Sequence, residues 1–562
     1  QGVGLVEPAA RLPERKLAGL PRDRERVVCV AHVRCGQGGR PVGYNGRAWW
    51  FRTYSNVGDV AEKLHLRPMR ARVALLSTVA SAMAPARTSR RVAVVGGGSA
   101  GVIAARFLKR AGHRPEIFEA GTSFGGIWAD DPTNDVVYKN LQTNLPTVVM
   151  QSPDLDFPPT LPSYVTKRAL GAYIEDYARV FDVASLATFG AKVTSVAPTS
   201  SADGDERWKV DWTCDGTSHT AVYDAVIVAN GHYEEPYAPK LPGEADWLDG
   251  DASRAVVHSR EYDEPEAFRG RSVLVVGGRS SGVDISRELR GVAKWVYVLE
   301  KGCAAPLTHE GEAVTHVPLG TRLCSDGRLR CGAEAEGEAE SELLVAGPPI
   351  DRVVLATGYC YAFPFLDEEA VDLRFRQQRW VSPLYQHIMH ARRPTLGFIG
   401  IPLAVPCPIP FFECQAALLA EQWARPSDGP EALTSESERV EWVEQRRAAV
   451  GERTQDTHLT GAAGGSAWSY MRELLARVHA TSPPTEEGDT WLARTNWDER
   501  LTTVESVYRD RGARYPKLPW HRDSYRRVEY SVDWASGEWR SDDSKALEYE
   551  AEEEPKSCAG AA

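Results

Sequence analysis

The stretch that decides the fold is Arg91-Val-Ala-Val-Val-Gly96-Gly97-Gly98-Ser99-Ala100-Gly101, in which a β-branched run leads into a glycine-rich turn and an apolar-periodic helix. A second stretch, Ser272-Val-Leu-Val-Val-Gly277-Gly278-Arg279-Ser280-Ser281-Gly282, repeats this pattern about a third of the chain length later. Turns of this kind open the βαβ units that bind dinucleotides. Two of them predict two dinucleotide cofactors on one chain, with electrons passed between them.

The first turn has the full set of residues that a dinucleotide site needs. Gly96 permits the tight turn, Gly98 lets the backbone approach a pyrophosphate, and Gly101 lets helix and strand pack closely. Glu119 ends the next predicted strand, where a carboxylate can accept hydrogen bonds from a ribose. The predicted site comprises Gly96, Gly97, Gly98, Ser99, Ala100, Gly101 and Glu119.

The second turn departs from the rule at its middle position, which Arg279 occupies. A Cβ atom there holds the backbone further from a pyrophosphate, although a guanidinium can itself pair with phosphate. Lys301 follows the next strand, where a cation meets a 2′-phosphate, and this favours NADPH over NADH. Glu300 beside it weakens that argument, and an ordinary solvated lysine is an equal alternative.

Composition narrows the function classes. A chain of 562 residues with a net charge of -11 has room for two or three domains and is poorly suited to binding nucleic acid. It has no uninterrupted apolar run of roughly 18 residues, so no membrane span is predicted. Its ten cysteines include no CxxC pair, and neither a metal site nor a redox dithiol is predicted.

The predicted fold class is α/β, with two Rossmann-like dinucleotide-binding domains, the second inserted in the first. We expect residues 90–255 and 345–425 to form the first domain and residues 256–344 the second. Residues 426–540 are predicted to be a helical, Trp/Tyr-rich segment, and residues 541–562 an acidic disordered tail.

Residues 1–89 are predicted to be an extension, either disordered or used for targeting. Met69 opens a basic and then apolar stretch that resembles a targeting peptide. The alternative is that translation begins at Met69 or Met83. We expect a cytoplasmic protein, with organellar or secretory targeting if the stretch at Met69 is a leader.

A series of short motifs follows in a fixed order after the first turn. They are Gly125-Gly-Ile-Trp128, Tyr138-Lys-Asn-Leu-Gln-Thr143-Asn144-Leu-Pro146, Asn230-Gly-His-Tyr233, His258-Ser-Arg-Glu-Tyr262, Ala356-Thr-Gly-Tyr359 and Leu384-Tyr-Gln-His-Ile388. In this order they resemble the flavin-containing monooxygenases, over roughly residues 90–425.

The resemblance implies FAD in the first fold and NADPH in the second. Glu119 would hold the adenosine ribose, and Thr143 and Asn144 would lie beside the isoalloxazine and the nicotinamide. Asn144 matches the asparagine that supports the oxygenated flavin, and it is the predicted catalytic residue. The other predicted cofactor-binding residues are Gly126, Ile127 and Trp128 on the flavin side, and Gly277, Arg279, Ser280, Ser281, Gly282, Val283, Asp284, Lys301, Thr357 and Gly358.

Elementary chemistry agrees with this role for Asn144. A neutral amide donates and accepts hydrogen bonds without adding an acid that would expel peroxide from the flavin. The alternative is an asparagine that caps the turn before Leu145-Pro146.

The resemblance implies an NADPH-dependent monooxygenase of the N,N-dimethylaniline type. It would transfer oxygen from O2 to a small nitrogen or sulfur nucleophile through a C4a-hydroperoxyflavin, and a homodimer is compatible with it. Tyr262 stands where Baeyer–Villiger relatives carry Trp, which favours oxygenation of a heteroatom. His258 lacks the family's upstream Phe-x-Gly half, so a structural role at a domain hinge is an equal interpretation.

Other functions stay open at this point. A Baeyer–Villiger or N-hydroxylating monooxygenase, or an NADPH oxidase, would share both folds. A disulfide reductase also pairs FAD with NADPH but needs a redox dithiol. A flavin-bound sensor or scaffold, with NADPH binding impaired by Arg279, is the alternative that is not an enzyme.

Overall fold

The computed structural model describes residues 88–130, 136–201, 204–309, 312–332, 343–375, 378–425, 434–451, 455–460, 465–481, 497–514 and 523–553. Apart from residues 88 and 89, the predicted N-terminal extension lies outside this part of the chain. The acidic, low-complexity loop predicted at residues 333–342 lies outside it as well.

The first fold begins with β-branched and apolar runs that form strands around a short helix. Its elements are β1 (Arg91–Val95), α1 (Ser99–Arg110), β2 (Arg114–Phe118), α2 (Thr147–Met150), α3 (Lys167–Val180), β3 (Ala187–Thr188), β4 (Lys192–Ser200), β5 (Glu206–Cys214), β6 (Thr217–Tyr223) and β7 (Ala225–Val228). Strand β1 lies between β2 and β7 and is parallel to both. The predicted βαβ unit is therefore present.

The second fold repeats the strand–turn–helix–strand order. Its segment contains β8 (Glu235–Pro236), α4 (Glu244–Asp249), β9 (Ala255–His258), β10 (Ser272–Val276), α5 (Ser280–Leu289), β11 (Trp295–Leu299), β12 (Leu307–His309), β13 (Val314–Val317), β14 (Arg322–Leu323), β15 (Leu329–Cys331), β16 (Leu343–Leu344) and β17 (Arg352–Leu355). The sheet order is β12-β13-β11-β10-β17-β9, with β12 antiparallel and the other pairs parallel.

The chain then returns to the first sheet and continues into a segment of helices and one β-hairpin. These elements are β18 (Tyr359–Cys360), α6 (Glu368–Val371), β19 (Leu384–Tyr385), β20 (Met389–His390), β21 (Leu396–Phe398), α7 (Pro408–Trp423), α8 (Glu436–Val450), α9 (Ala467–Thr481), α10 (Trp497–Arg514), β22 (Glu529–Asp533), β23 (Glu538–Asp542) and α11 (Ser544–Glu553). Strand β21 pairs with β7 and completes a seven-stranded sheet of order β19-β20-β21-β7-β1-β2-β3. The predicted α/β class, with one nucleotide fold inserted in the other, is confirmed.

The return to the first sheet comes later than expected. The sequence predicts that the first domain resumes at residue 345, but β17 lies between β10 and β9 in the second sheet. The boundary therefore falls after Leu355. Strand β17 and strand β7 are both short buried runs that exit through a glycine, so local pattern alone does not decide which sheet receives each strand.

The expected disordered tail is partly structured. Asp542 ends β23, and α11 follows it; only residues 554–562 of the predicted tail lie outside the described chain. Ala546 of α11 is fully buried, and the Arg527 guanidinium lies 4.0 Å from the centre of the Tyr549 ring. Tertiary packing of these residues outweighs the acidic composition on which the prediction rested.

The first turn is set on a strand that is buried on both faces. Val92 and Val94 of β1 join the core that contains α1 and α7, whereas Ala93 and Val95 join the core that contains Trp208 of β5. Burial on both faces is typical of a central strand in a parallel sheet. Because β1 is held from both sides, the position of the turn that follows it is fixed. Among the described helices, none is long and apolar enough to cross a membrane.

Candidate functional site

The two glycine-rich turns have the same geometry. The N–H of Gly96 donates to the carbonyl of Phe118 at 2.9 Å, and the N–H of Gly277 donates to the carbonyl of Leu299 at 2.8 Å. Gly96 has φ +108° and Gly277 φ +119°, a region that only glycine adopts readily. The chain therefore leaves both strands through the same tight turn and enters a helix.

The third glycine of each turn lets the backbone of the helix lie in contact with the backbone of the turn. A Cβ atom on Gly101 would lie 1.9 Å from the Gly96 oxygen, and one on Gly282 would lie 1.7 Å from the Gly277 oxygen. Within the described structure, neither α1 nor α5 has an acidic residue in its first turn or a side-chain cap. The N–H groups at both helix starts therefore remain available to an anion such as a pyrophosphate.

Glu119 lies against the first turn, as a ribose-binding carboxylate should. Its Oε1 atom accepts a hydrogen bond from the N–H of Gly121 at 2.6 Å, and its Oε2 atom accepts one from the N–H of Gly97. These bonds fix the carboxylate beside the glycines that would cradle the pyrophosphate. The N–H groups at the start of α1 and the Glu119 carboxylate together fit the adenosine half of a dinucleotide.

The predicted flavin-lining residues lie beside the same turn. Gly126–Trp128 forms a single 3-10 turn, and the N–H of Gly125 donates to the carbonyl of Gly97 at 3.1 Å. A Cβ atom on Gly126 would lie 3.1 Å from the Cα atom of Gly98, so the two backbones are nearly in contact. The structure thus brings together two motifs that are separated by about 25 residues in the sequence.

Asn144 lies where the two folds meet. Its Nδ2 atom donates to the Ser280 hydroxyl at 3.3 Å, and Ser280 is the first residue of α5 in the second turn. Thr143 holds the loop in place, because its N–H donates to the carbonyl of Val165 at 2.9 Å and its Oγ1 accepts from the N–H of Val165 at 3.0 Å. A predicted catalytic residue of the first fold therefore contacts a predicted cofactor-binding residue of the second.

A buried arginine near the C-terminus supports the same junction. The Nε atom of Arg526 donates to the carbonyl of Thr143 at 3.1 Å, and its two terminal nitrogens donate to the Asp284 carboxylate at 3.1 and 2.9 Å. Burial is the largest influence and lowers the pKa of Arg526, but the charges of Asp284 and Asp523, with Tyr525 and the hydrogen bonds to Asp284, together outweigh it, so the net shift of the pKa is upward. The sequence did not indicate Arg526, because Thr143 and Asp284, which it joins, are 383 and 242 residues away and its local pairing with Asp523 marks no site.

Asp284 is thereby held in a polar cluster. The Tyr138 hydroxyl donates to its Oδ2 atom at 2.8 Å, and Arg287 lies 3.1 Å from its Oδ1 atom. A contact between Asp284 and NADP stays a prediction. In the structure the Asp284 carboxylate is bonded to Tyr138 and Arg526, and so joins α5 to the Asn144 loop and to the C-terminal segment.

Arg279 causes no strain in the second turn. It is exposed and precedes α5 with φ −96° and ψ −171°, close to the −70° and −178° of Gly98 before α1. Both values are extended backbone that any residue adopts. The cost of the substitution is therefore limited to the space that the side chain takes from a ligand, and the guanidinium adds a cation at the helix start.

Thr357 and Gly358 help to connect the two folds. The Thr357 hydroxyl donates to the carbonyl of Tyr237, and the Gly358 carbonyl accepts from the N–H of Tyr237 at 2.9 Å and from Nε2 of His258 at 3.0 Å. The other ring nitrogen of His258 accepts from the N–H of Arg260 at 3.1 Å. With both nitrogens bonded to main chain, His258 fits the structural, hinge interpretation.

Comparison of this sequence with known proteins identifies the family to which the chain belongs. The model described as "Flavin-binding monooxygenase-like" matches residues 89–309 and 342–483. The chain is 31% identical to "Flavin-containing monooxygenase FMO GS-OX5" of Arabidopsis thaliana over 465 residues, which cover 76% of this chain and 94% of that protein. It is 34% identical to "Flavin-containing monooxygenase FMO GS-OX-like 2" of the same plant over 374 residues, covering 60% and 76%.

Solved structures agree. S-allyl-L-cysteine S-oxygenase from Allium sativum superposes with a TM-score of 0.62 at 27% identity, covering 83% of this chain and 99% of that one. Tmm from Pelagibacter superposes with a TM-score of 0.59 at 18% identity, a likeness of fold. The predicted family is confirmed by these comparisons, and a flavin is the cofactor of that family.

Proposed function

Because this chain belongs to the flavin-binding monooxygenase-like family, we propose that it is an NADPH-dependent FAD monooxygenase that oxygenates the sulfur of small thioethers. The observation that carries the proposal is the hydrogen bond from Asn144 to Ser280, since it joins the two nucleotide folds at one point. Cofactors bound to the two turns would have their reactive ends directed toward this junction.

The reaction balances with one nicotinamide. A thioether, O2, NADPH and one proton give a sulfoxide, NADP⁺ and water. FAD supplies hydride acceptance and oxygen activation when it is bound. The protein would bind the pyrophosphates at two helix starts, hold a ribose with Glu119, and place at the junction the Asn144 amide, a neutral group that adds no acidic proton.

Sulfur is favoured over nitrogen by the relatives. The solved structure that resembles this chain over 83% of its length is an S-oxygenase of S-allyl-L-cysteine. Tyr262 is consistent with oxygenation of a heteroatom; it is buried, and its hydroxyl donates to Glu288 at 2.7 Å. Oxygenation of an N,N-dimethylaniline-type nitrogen is the competing outcome that the following test distinguishes.

The test is a competition between the two substrate classes. The FAD-loaded protein is supplied with NADPH, ¹⁸O2 and equal amounts of S-allyl-L-cysteine and N,N-dimethylaniline, and the products are measured by mass spectrometry. We expect one ¹⁸O atom in the sulfoxide and a small yield of N-oxide. A dominant N-oxide, or an ester product from an added cyclic ketone, would contradict the proposal.

The role of Asn144 is tested by measuring how much of the NADPH oxidised yields hydrogen peroxide instead of oxygenated product. Asn144→Ala should retain FAD but divert NADPH oxidation toward free hydrogen peroxide, because the amide that shields the oxygenated state is gone. Gln142→Ala is the matched control, since Gln142 is exposed on the same loop. Equal peroxide per NADPH in both variants and the native protein would remove Asn144 from this role.

A further inference from the structure

Glu300 is the structural counterpart of Glu119. Each follows the last residue of the strand after its glycine turn, and the strand pairs have the same register, with Val95 opposite Phe118 and Val276 opposite Leu299. A Cβ atom on Gly97 would lie 2.9 Å from Oε2 of Glu119. The same atom on Gly278 would lie 2.2 Å from Oε2 of Glu300.

A carboxylate in this position selects between nicotinamide cofactors. It accepts hydrogen bonds from the free 2′-hydroxyl of an adenosine ribose, which NADH has. NADPH carries a 2′-phosphate there, with a charge similar in sign to the carboxylate, so the same group repels it. Lys301 favours NADPH from the sequence, and the position of Glu300 beside Gly278 opposes that preference.

The Glu300 carboxylate is held rather than free to turn away. Its Oε1 atom lies 2.6 Å from Nδ1 of His316, whose side chain is 5% exposed, while the Glu300 side chain is 27% exposed. Its N–H donates to the carbonyl of Val317 on the neighbouring strand. The strand end and the histidine together keep the carboxylate beside Gly278.

Two exposed cations act in the opposite direction. Lys301 follows Glu300 directly, and Arg279 stands at the start of α5; both side chains are exposed. Their attraction for a 2′-phosphate is screened by water and salt, and each can move toward a ligand. The fixed carboxylate and the two mobile cations therefore compete over one substituent of the ribose.

We infer that the second site binds NADH as well as NADPH, because Glu300 accepts a hydrogen bond from the 2′-hydroxyl of NADH. Glu300 and Lys301 together set the ratio of the affinities for the two nucleotides. This inference rests on the proposed function, in which the second fold binds a nicotinamide dinucleotide.

The experiment is titration calorimetry of the FAD-loaded protein with NAD⁺ and NADP⁺. We expect native dissociation constants for the two within about tenfold of each other. Glu300→Gln should tighten NADP⁺ and weaken NAD⁺, changing the ratio by about tenfold or more, the effect of one charge near the phosphate. Lys301→Met should weaken NADP⁺ several-fold and leave NAD⁺ unchanged.

Glu312→Gln is the matched control, because it removes the same charge at the other end of the sheet. Glu312 precedes β13, whereas Glu300 follows β11, and these strands are parallel. The ratio should not change in this variant, and thermal unfolding should confirm that all variants are folded.

The outcomes separate this inference from the proposed function. NAD⁺ binding more than 100-fold weaker than NADP⁺ in the native protein, or an unchanged ratio in Glu300→Gln, overturns the inference alone. Binding of neither nucleotide overturns both the inference and the NADPH dependence. Normal binding without sulfoxide formation leaves the inference standing and contradicts only the proposed function.

Discussion

Replacing Arg526 with Met should destabilise the protein and loosen the Asn144 loop. Arg526 is 7% exposed and Asp284 8% exposed, and the two are joined by hydrogen bonds of 3.1 and 2.9 Å. The same guanidinium holds the Thr143 carbonyl at 3.1 Å. The variant therefore removes one support of the second fold and one support of the loop that carries Asn144.

The magnitude follows from burial. Removing one partner of a buried ion pair costs about 3–5 kcal/mol, because the remaining charge is left in a poorly solvated place. Arg287 and Tyr138 still contact the Asp284 carboxylate, so we expect a loss near the lower limit, about 3 kcal/mol. The double variant Arg526→Met/Asp284→Asn should recover about 1 kcal/mol, since it removes a buried charge that has lost its bidentate partner.

Urea unfolding of the FAD-loaded protein measures the free energy of unfolding. The amount of peroxide released per NADPH oxidised reports whether the Asn144 loop still holds Asn144 in place. Arg509→Met is the matched control: Arg509 is 75% exposed and pairs with Glu505 at 2.6 Å, so its loss should cost at most about 0.5 kcal/mol. The reasoning is refuted if Arg526→Met costs no more than Arg509→Met, or if the double variant is less stable than the single one.

Three further predictions test other parts of the molecule. Gly101→Ala should be purified without FAD, since its Cβ would lie 1.9 Å from a carbonyl oxygen of the turn, whereas Gly332→Ala, with open space around it, should retain the flavin absorbance. Burial lowers the pKa of His458 to about 3 from its ordinary 6.5, so the unfolded chain takes up the proton first as pH falls. Stability is therefore present above pH 6.5 and is lost toward pH 3, by roughly 2 kcal/mol at pH 5; His458→Gln should flatten the fall in urea midpoint between pH 7 and 5, and an unchanged slope would contradict this. Arg279→Gly should weaken NADP⁺ several-fold by titration calorimetry, because a cation at the helix start is lost; tighter binding would mean that the side chain obstructs the site.

The first site could be predicted because its determinants are local. A β-branched strand, three glycines and Glu119 lie within about 30 residues, and each has a direct physical requirement in a βαβ turn. The second turn followed from the same pattern. Its carboxylate could be seen in the sequence, but the contact of Glu300 with Gly278 depends on the register of two strands.

The junction could not be predicted because it is built from distant segments. Arg526 and Asp284 are 242 residues apart, and no spacing rule connects an arginine in a Trp/Tyr-rich segment with a helix of the second fold. The same limit explains the boundary at residue 345, since β17 and β7 differ in their sheet partners and not in their local pattern. Helix α11 likewise depends on packing by Ala546.

The most direct test of the account is anaerobic mixing of the FAD-containing protein with NADPH, followed by O2 and a thioether. The account predicts that NADPH bleaches the flavin absorbance and that each NADPH oxidised then yields one sulfoxide. A flavin that stays oxidised with both NADPH and NADH would contradict it, and would leave a flavin-bound sensor or scaffold as the better description.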